Sequence, residues 1–252
     1  MKKLFYLGIT CFIFTSCSTG STKTETTAIA ADTVATTQEP KESEAVGIWD
    51  KISVRETPSE EGKWLTSLSL GEKLTFLNKD AKDKNGKIYY QVRLNDGTKG
   101  WIRHEFIVPD AKPGVFQHDS DIYTRPDLLT KSDIQFRKMD IVAIGNLQDD
   151  WVEITGKRTD GKWIDKGWVK ASNLSTDQVD IAIAKFAQQA LEAGTSADKI
   201  EKLEEIVQNS DLSGSIFSED IKQALDKLKM AEMEVKYEID PKRDTISAES
   251  EI

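Results

Sequence analysis

The chain has 252 residues, 38% of them hydrophobic and 8% aromatic, with 31% charged and a formal net charge of -9. That length suits one large domain or two to three small ones, and the low aromatic content argues against a single large buried core. The acidic balance disfavours nucleic acid and anionic lipid headgroups as principal partners, because both repel it.

The N-terminus departs from this average. Met1-Lys2-Lys3 is cationic, Leu4 to Phe14 is almost wholly apolar, and Thr15-Ser16-Cys17 follows. An apolar run of about eleven residues falls short of the roughly 20 that cross a bilayer. It fits the apolar segment of a secretory signal peptide, so residues 1–16 are expected to be a leader. Phe14-Thr15-Ser16-Cys17 resembles the lipobox of bacterial lipoproteins, departing from it at Phe14, where Leu is usual. The resemblance implies that Cys17 becomes the acylated first residue of the mature chain. Several acyl chains, at about 0.8 kcal/mol per buried methylene, give stable membrane anchoring. Secretion with Cys17 as a bystander is the alternative. Ser18, not Asp, follows Cys17, and in enterobacterial lipoproteins the absence of Asp there goes with outer-membrane sorting, a rule that differs among bacteria. The implied location is the cell envelope. Cys11 and Cys17 are the only cysteines, so the mature chain would hold no disulfide.

Residues 17–45 are rich in Ser, Thr, Ala and Glu and lack aromatics. Such a stretch cannot bury enough apolar surface to offset its backbone entropy, and it reads as a disordered tether. From Val46 the pattern becomes short alternating runs punctuated by turns, as in small barrels or sandwiches. An internal repeat lies within it. Val54-Arg55-Glu56-Thr57-Pro58 aligns with Ile122-Tyr123-Thr124-Arg125-Pro126, and Tyr89-Tyr90-Gln91-Val92 with Trp151-Val152-Glu153-Ile154. Gly71 to Phe76 aligns with Lys138 to Ala143 in pattern, and Gly100-Trp101-Ile102 with Gly167-Trp168-Val169. Asn95-Asp96-Gly97 and Thr159-Asp160-Gly161 mark equivalent tight turns, since Asn and Gly tolerate positive φ. Period-2 alternation puts Tyr90, Val92 and Leu94 on one strand face and Tyr89, Gln91 and Arg93 on the outer one. In the second copy Val152 and Ile154 point inward, Trp151 and Glu153 outward.

After Ser175 the spacing turns helical. Val179, Ala182, Ile183, Phe186 and Ala190 form one stripe behind the capping residues Ser175-Thr176-Asp177. Ile200, Leu203, Ile206 and Val207 form a second stripe after Thr195-Ser196. Ile221, Ala224, Leu225 and Leu228 form a third, opened by Ser218-Glu219-Asp220. Residues 176–236 are thus expected to be helical and 237–252 a disordered tail.

The Val54-Arg55, Tyr89-Tyr90-x-Val92, Asn95-Asp96-Gly97 and Gly100-Trp101-Ile102 motifs resemble the bacterial SH3-like (SH3b) domain. The second copy resembles a diverged one that keeps Pro126, Trp151 and Gly167-Trp168-Val169. The resemblance implies a mainly β fold with a helical C-terminal part: two small SH3-like β-barrels in tandem, at 46–109 and 114–175, followed by short helices. It also implies an aromatic groove for extended peptides, bordered by Tyr89, Trp101 and Phe106 and by Trp151 and Trp168. Trp101 and Trp168 also suit barrel closure, while Tyr89 and Trp151 are read as exposed. Asn173 stands where Phe106 would repeat, which leaves the second groove weaker. Trp49, Trp64 and Trp163 match no family position.

Catalytic machinery is not evident. Nucleophilic catalysis needs a Ser, Cys or Thr beside a base, usually His, and the only histidines are His104 and His118. Three compactly spaced zinc ligands are not found either. The expected protein is a non-enzymatic, cofactor-free and metal-free envelope lipoprotein whose barrels bind peptidoglycan peptides or a protein ligand. The alternative is a scaffold docking an envelope complex through its C-terminal helices.

Overall fold

The computed structural model describes residues 41–239, with side chains up to residue 234; the leader, Cys17 and most of the tether and tail lie outside the described residues. Alternation in 43–109 resolves into seven strands: β1 (Ser43–Gly47), β2 (Ile52–Arg55), β3 (Trp64–Leu68), β4 (Lys73–Lys82), β5 (Ile88–Arg93), β6 (Lys99–Arg103) and β7 (Ile107–Pro109). Seven more follow: β8 (Lys112–Phe116), β9 (Ser120–Tyr123), β10 (Lys131–Phe136), β11 (Ile141–Gln148), β12 (Trp151–Lys157), β13 (Ile164–Lys170) and β14 (Leu174–Ser175). The first sheet has the order β3-β2-β6-β5-β4-β1-β7 and the second β10-β9-β13-β12-β11-β8-β14. Shifting every number by seven converts one order into the other. The fold is mainly β, two antiparallel SH3-like sheets followed by three helices.

Registers repeat with the order. Gly100 pairs with Val92 and Gly167 with Ile154, so each Gly-Trp pair occupies the same place in its sheet. Why Gly stands there is steric. A Cβ on Gly100 would lie 2.5 Å from Val54 Cγ1, and one on Gly167 would lie 2.3 Å from Ile122 Cγ2. β6 and β13 approach β2 and β9 too closely for any side chain. The adjacent residues then form the closing pairs, Trp101 with Arg55 and Trp168 with Tyr123.

Each sheet wraps its own core. Ile52, Val54, Leu68, Val92 and Ile102 fill the first, while Phe116 and Phe136 stack 5.1 Å apart among Ile122, Val142, Ile154 and Val169 in the second. At about 1.5–3 kcal/mol per fully buried large apolar side chain, these two clusters dominate local stability. The barrels also share apolar contacts, because Val46, Ile48 and Ala111 pack against Ala143.

The helices are α1 (Gln178–Leu191), α2 (Ser196–Gln208) and α3 (Ser218–Ile239). Asp177 caps α1 by accepting from the Val179 N–H at 2.7 Å. Thr195 and Asp198 cap α2 reciprocally. The buried stripe of α1 is Ile181, Ile183, Ala184, Ala187 and Ala190, whereas Phe186 is exposed. The expected stripe was rotated: α1 is flanked by both α2 and the second barrel, so its buried face is wider and set by two neighbours. Ile181 and Ala184 join Val115 and Ile141 of the second barrel in one cluster with Leu203, Phe217 and Ile221. Gln188 Nε2 donates to the Met139 carbonyl at 2.9 Å, and Lys138 pairs with Asp220 at 2.5 Å. No described helix is long and apolar enough to cross a membrane.

Candidate functional site

β5 and β6 place Tyr89 directly opposite Arg103. Both line a cavity of about 330 Å³ on the first barrel, with Trp49, Arg55, Glu60 and Phe106. Phe106 arrives on a short 3-10 turn after β6, and its ring lies 5.8 Å from that of Trp49. The Arg103 guanidinium stands 5.3 Å from the Phe106 ring centroid, a cation-π distance. It also pairs with Glu105 and, at 3.4 Å, with Glu60. Arg55 Nη1 donates to the Gly62 carbonyl at 2.7 Å and holds the loop that carries Glu60 beside the cavity.

Two polar atoms here are left over. Among the described residues, the Tyr89 hydroxyl and Arg103 Nε are the buried side-chain polar atoms without a hydrogen-bond partner. The two residues that carry them both line this one cavity. Burial, assisted by the nearby charges of Glu60 and Asp83, raises the pKa of the Tyr89 phenol, which therefore stays protonated. Glu60 is shifted the other way: a hydrogen bond from Lys87, at 2.5 Å, holds its carboxyl below the usual range and keeps it ionised. The site thus combines two unmet donors, an apolar aromatic wall and an ionised acceptor. Such a set suits the carbonyls and amides of an extended peptide backbone.

The candidate residues named from sequence fare unequally. Tyr89 and Phe106 line the cavity, whereas Trp101 is half-buried at the closing pair and does not. Tyr89 and Trp151 were expected to be exposed, yet they are only 2% and 5% exposed. Alternation fixes the face of a strand, but the Glu60 loop and Arg103 cover that face at Tyr89. At Trp151 the cover is different. Tyr123, which occupies the place of Arg55, packs edge-on against Trp151 with ring centroids 4.9 Å apart. Lys170, the counterpart of Arg103, sets its ammonium 4.1 Å from the Trp151 centroid and pairs with Asp150 at 2.6 Å. The second barrel therefore packs Tyr123 and Lys170 against Trp151 at the place where the first has Arg55 and Arg103 beside Tyr89. Trp168 is half-buried at its closing pair, and Asn173 donates to Ser120 Oγ at 3.2 Å.

Trp49, Glu60 and Arg103 were not picked out from the sequence. Arg103 follows Trp101 by two residues on the same strand face, a signal that period-2 reading could have extended. Trp49 precedes β2 in a loop and left no such signal. His104 Nδ1 lies 3.3 Å from the Ile88 carbonyl and its ring packs against Tyr90, while His118 is exposed. Among the described residues, no group of three or more His, Cys, Asp or Glu is placed to hold a metal ion.

No curated protein matches the chain. Among solved structures, it is similar to NlpC2 from Trichomonas vaginalis, at 14% identity and TM-score 0.23, over 67% of this chain and 56% of that one. NlpC1 from Trichomonas vaginalis is similar at 12% identity and TM-score 0.24, over 62% and 55% respectively. The chain spans little more than half the length of these proteins, and scores so low carry no functional weight. The informative match is local: residues 50–108, which hold Tyr89, Arg103 and Phe106, match the bacterial SH3 domain family.

Proposed function

We propose that this protein binds cell-wall peptide through the cavity on its first barrel, without catalysing a reaction. The observation that carries the reading is that two facing residues with unmet buried donors, Tyr89 (Oη) and Arg103 (Nε), line one aromatic-walled cavity. The family match supports a cell-wall ligand for the same segment. In this reading Cys17 anchors the chain by lipid to an envelope membrane, the outer one in a diderm cell. The 17–45 tether lets the barrels reach the wall, and the second barrel is a spacer and a clamp for the helices.

Co-sedimentation with purified peptidoglycan tests this. The wild type is expected in the pellet, and Phe106→Ala, which removes the exposed wall of the cavity, is expected to remain in the supernatant. Phe106 is half-buried against the first core, so the variant's thermal midpoint is checked first, and equal recovery of both folded proteins in the pellet would remove the cavity from the proposal.

A second reading has its own observation. Phe186, Ile216, Met230 and Met233 are exposed on and around α1 and α3, an apolar outer surface suited to a docking partner in an envelope complex. Removing everything after Ser175 is not a clean test, because α1 covers Val115 and Ile141 of the second barrel. Surface substitutions such as Met230→Ser with Met233→Ser are the better probe. Loss of partner recovery together with unchanged wall binding would favour it.

A further inference from the structure

The cavity on the first barrel does not end at Trp49. Trp49, Asp50 and Lys51 also line a second cavity, of about 450 Å³, lying between the first barrel, the second barrel and α1. Trp49 is the shared wall. Phe106 stands beside its ring on the groove side, and the Lys157 ammonium of the second barrel lies 5.0 Å from its centroid.

Charge in this second cavity runs against the rest of the protein. The chain carries a net charge of -9, yet the cavity is lined by Lys51, Lys157, Arg158 and Lys185 against only Asp50 and Glu192. Arg158 is already engaged, by Asp165 at 2.7 Å and Asp160 at 3.7 Å. Lys51, Lys157 and Lys185 have no carboxylate partner among the described residues. Lys157 and Lys185 instead rest near aromatic rings, Trp49 and Phe186. Lys51, which borders both cavities, has φ +54°, a left-handed conformation that costs any β-carbon-bearing residue steric strain. Three lysines from three parts of the fold, none paired with a carboxylate, thus line one cavity that shares Trp49 with the cavity of the first barrel. Lys157 and Lys185 are half-buried and Lys51 is exposed at the rim, and like charges gathered around one concavity attract an anion more strongly than dispersed surface lysines would.

We infer that this interbarrel cavity seats the carboxylate end of the peptide whose body lies in the first barrel's groove. The peptide's path rests on the groove reading above; the anion site itself rests only on the cavity and its lysines. The ligand class is an extended peptide with a free terminal carboxylate, and the two barrels with α1 recognise it jointly.

The probe is the synthetic stem pentapeptide L-Ala-γ-D-Glu-L-Lys-D-Ala-D-Ala, as free acid and as C-terminal amide. N-acetyl-D-alanine, too short to reach the groove, is titrated separately. Affinity is read by calorimetry, and the Trp49 indole by NMR. The amide is expected to bind about tenfold more weakly than the acid. Lys157→Gln and Lys185→Gln should each cost about fivefold for the acid, the upper end for solvent-screened pairs, and nothing for the amide. N-acetyl-D-alanine should shift the Trp49 indole in wild type but not in Lys157→Gln. Thermal midpoints check folding, and Lys185 on the helix surface serves if Lys157→Gln is unstable. Equal affinities for acid and amide, or lysine variants without effect while the peptide still binds, would overturn the inference and leave the groove reading intact. If the pentapeptide fails to bind but N-acetyl-D-alanine still shifts Trp49, the anion site stands and the groove reading falls. Failure of both probes overturns both.

Discussion

Tyr89 and Arg103 face each other across β5 and β6 and line the same cavity, and the Tyr89 hydroxyl and Arg103 Nε are buried donors with no acceptor among the described residues. A buried donor left unmet costs about 1–3 kcal/mol, so neighbouring orphans are disfavoured unless something outside the fold accepts from them. Two carbonyl oxygens of an extended peptide would do so. Binding would then recover what folding left unsatisfied.

The first expectation follows from that pairing. Tyr89→Phe keeps the ring and removes only the hydroxyl. Urea denaturation should show stability unchanged or raised by up to about 1 kcal/mol, while affinity for peptidoglycan peptide falls about tenfold. A tyrosine with a purely structural hydroxyl would behave in the opposite way, losing stability on substitution.

The second barrel should respond differently. Trp151→Ala removes a large buried ring and is expected to cost about 3–5 kcal/mol by chemical denaturation. Lys170→Gln removes the cation from the face of Trp151 and should cost less than about 1 kcal/mol. Neither the Lys170 charge nor its contact with Trp151 belongs to the proposed groove. Peptidoglycan recovery by Lys170→Gln should therefore equal that of wild type.

Much of this architecture is legible in the sequence. The Gly-Trp pairs at 100–101 and 167–168 fixed the alignment of two repeats, and the sheet registers place them equivalently. Their legibility has a physical cause: a site where any Cβ would clash keeps its Gly, and the neighbouring closing residue keeps its ring. What could not be read is what covers a strand face. Tyr89 was assigned to the correct face and the wrong environment, because its cover comes from Glu60 and Arg103, distant in sequence. Phe186 was misplaced for a similar reason, since the buried side of α1 depends on where the second barrel sits. Trp49 could not be read at all, because its role exists only where barrel one meets Lys157 of barrel two.

Gly71 of the first barrel sits against the second barrel and α1: its φ is +74°, and an added Cβ would lie 3.1 Å from Ile141 Cγ2 and 3.3 Å from Ile181 Cγ2. Gly97 has φ +87° with open space around it. Both alanine variants should lose about 1–2 kcal/mol from the left-handed backbone. Gly71→Ala should lose more, by about 1 kcal/mol, since overpacking adds to strain. Equal losses in thermal denaturation would mean that the junction is slack.

Asp140 supplies a pH test. It is 1% exposed and accepts from Thr159 Oγ1 at 2.6 Å, Thr159 N at 3.0 Å and Arg137 N at 2.8 Å. Burial raises its pKa, and these hydrogen bonds pull only partly the other way. The folded state therefore holds the Asp140 proton more tightly than the unfolded chain does. That contribution to stability is fully present below the unfolded carboxyl's pKa and is lost as pH rises through the raised folded value. Relative to Asp140→Asn, the wild type should gain stability on going from pH 7 to pH 4. Wild type losing stability relative to Asp140→Asn on acidification would show that the hydrogen bonds outweigh burial.

The most direct test of the groove watches its orphan donors. Arg103 Nε–H gives its own resonance in a ¹⁵N-labelled sample, and titration with the stem pentapeptide reports on it without substitution. The account expects the Arg103 Nε–H to shift and to become protected from solvent exchange as the peptide saturates, while the Trp151 indole stays fixed. A peptide that binds while Arg103 stays unmoved would place the ligand elsewhere and rule out the first barrel's cavity as its seat.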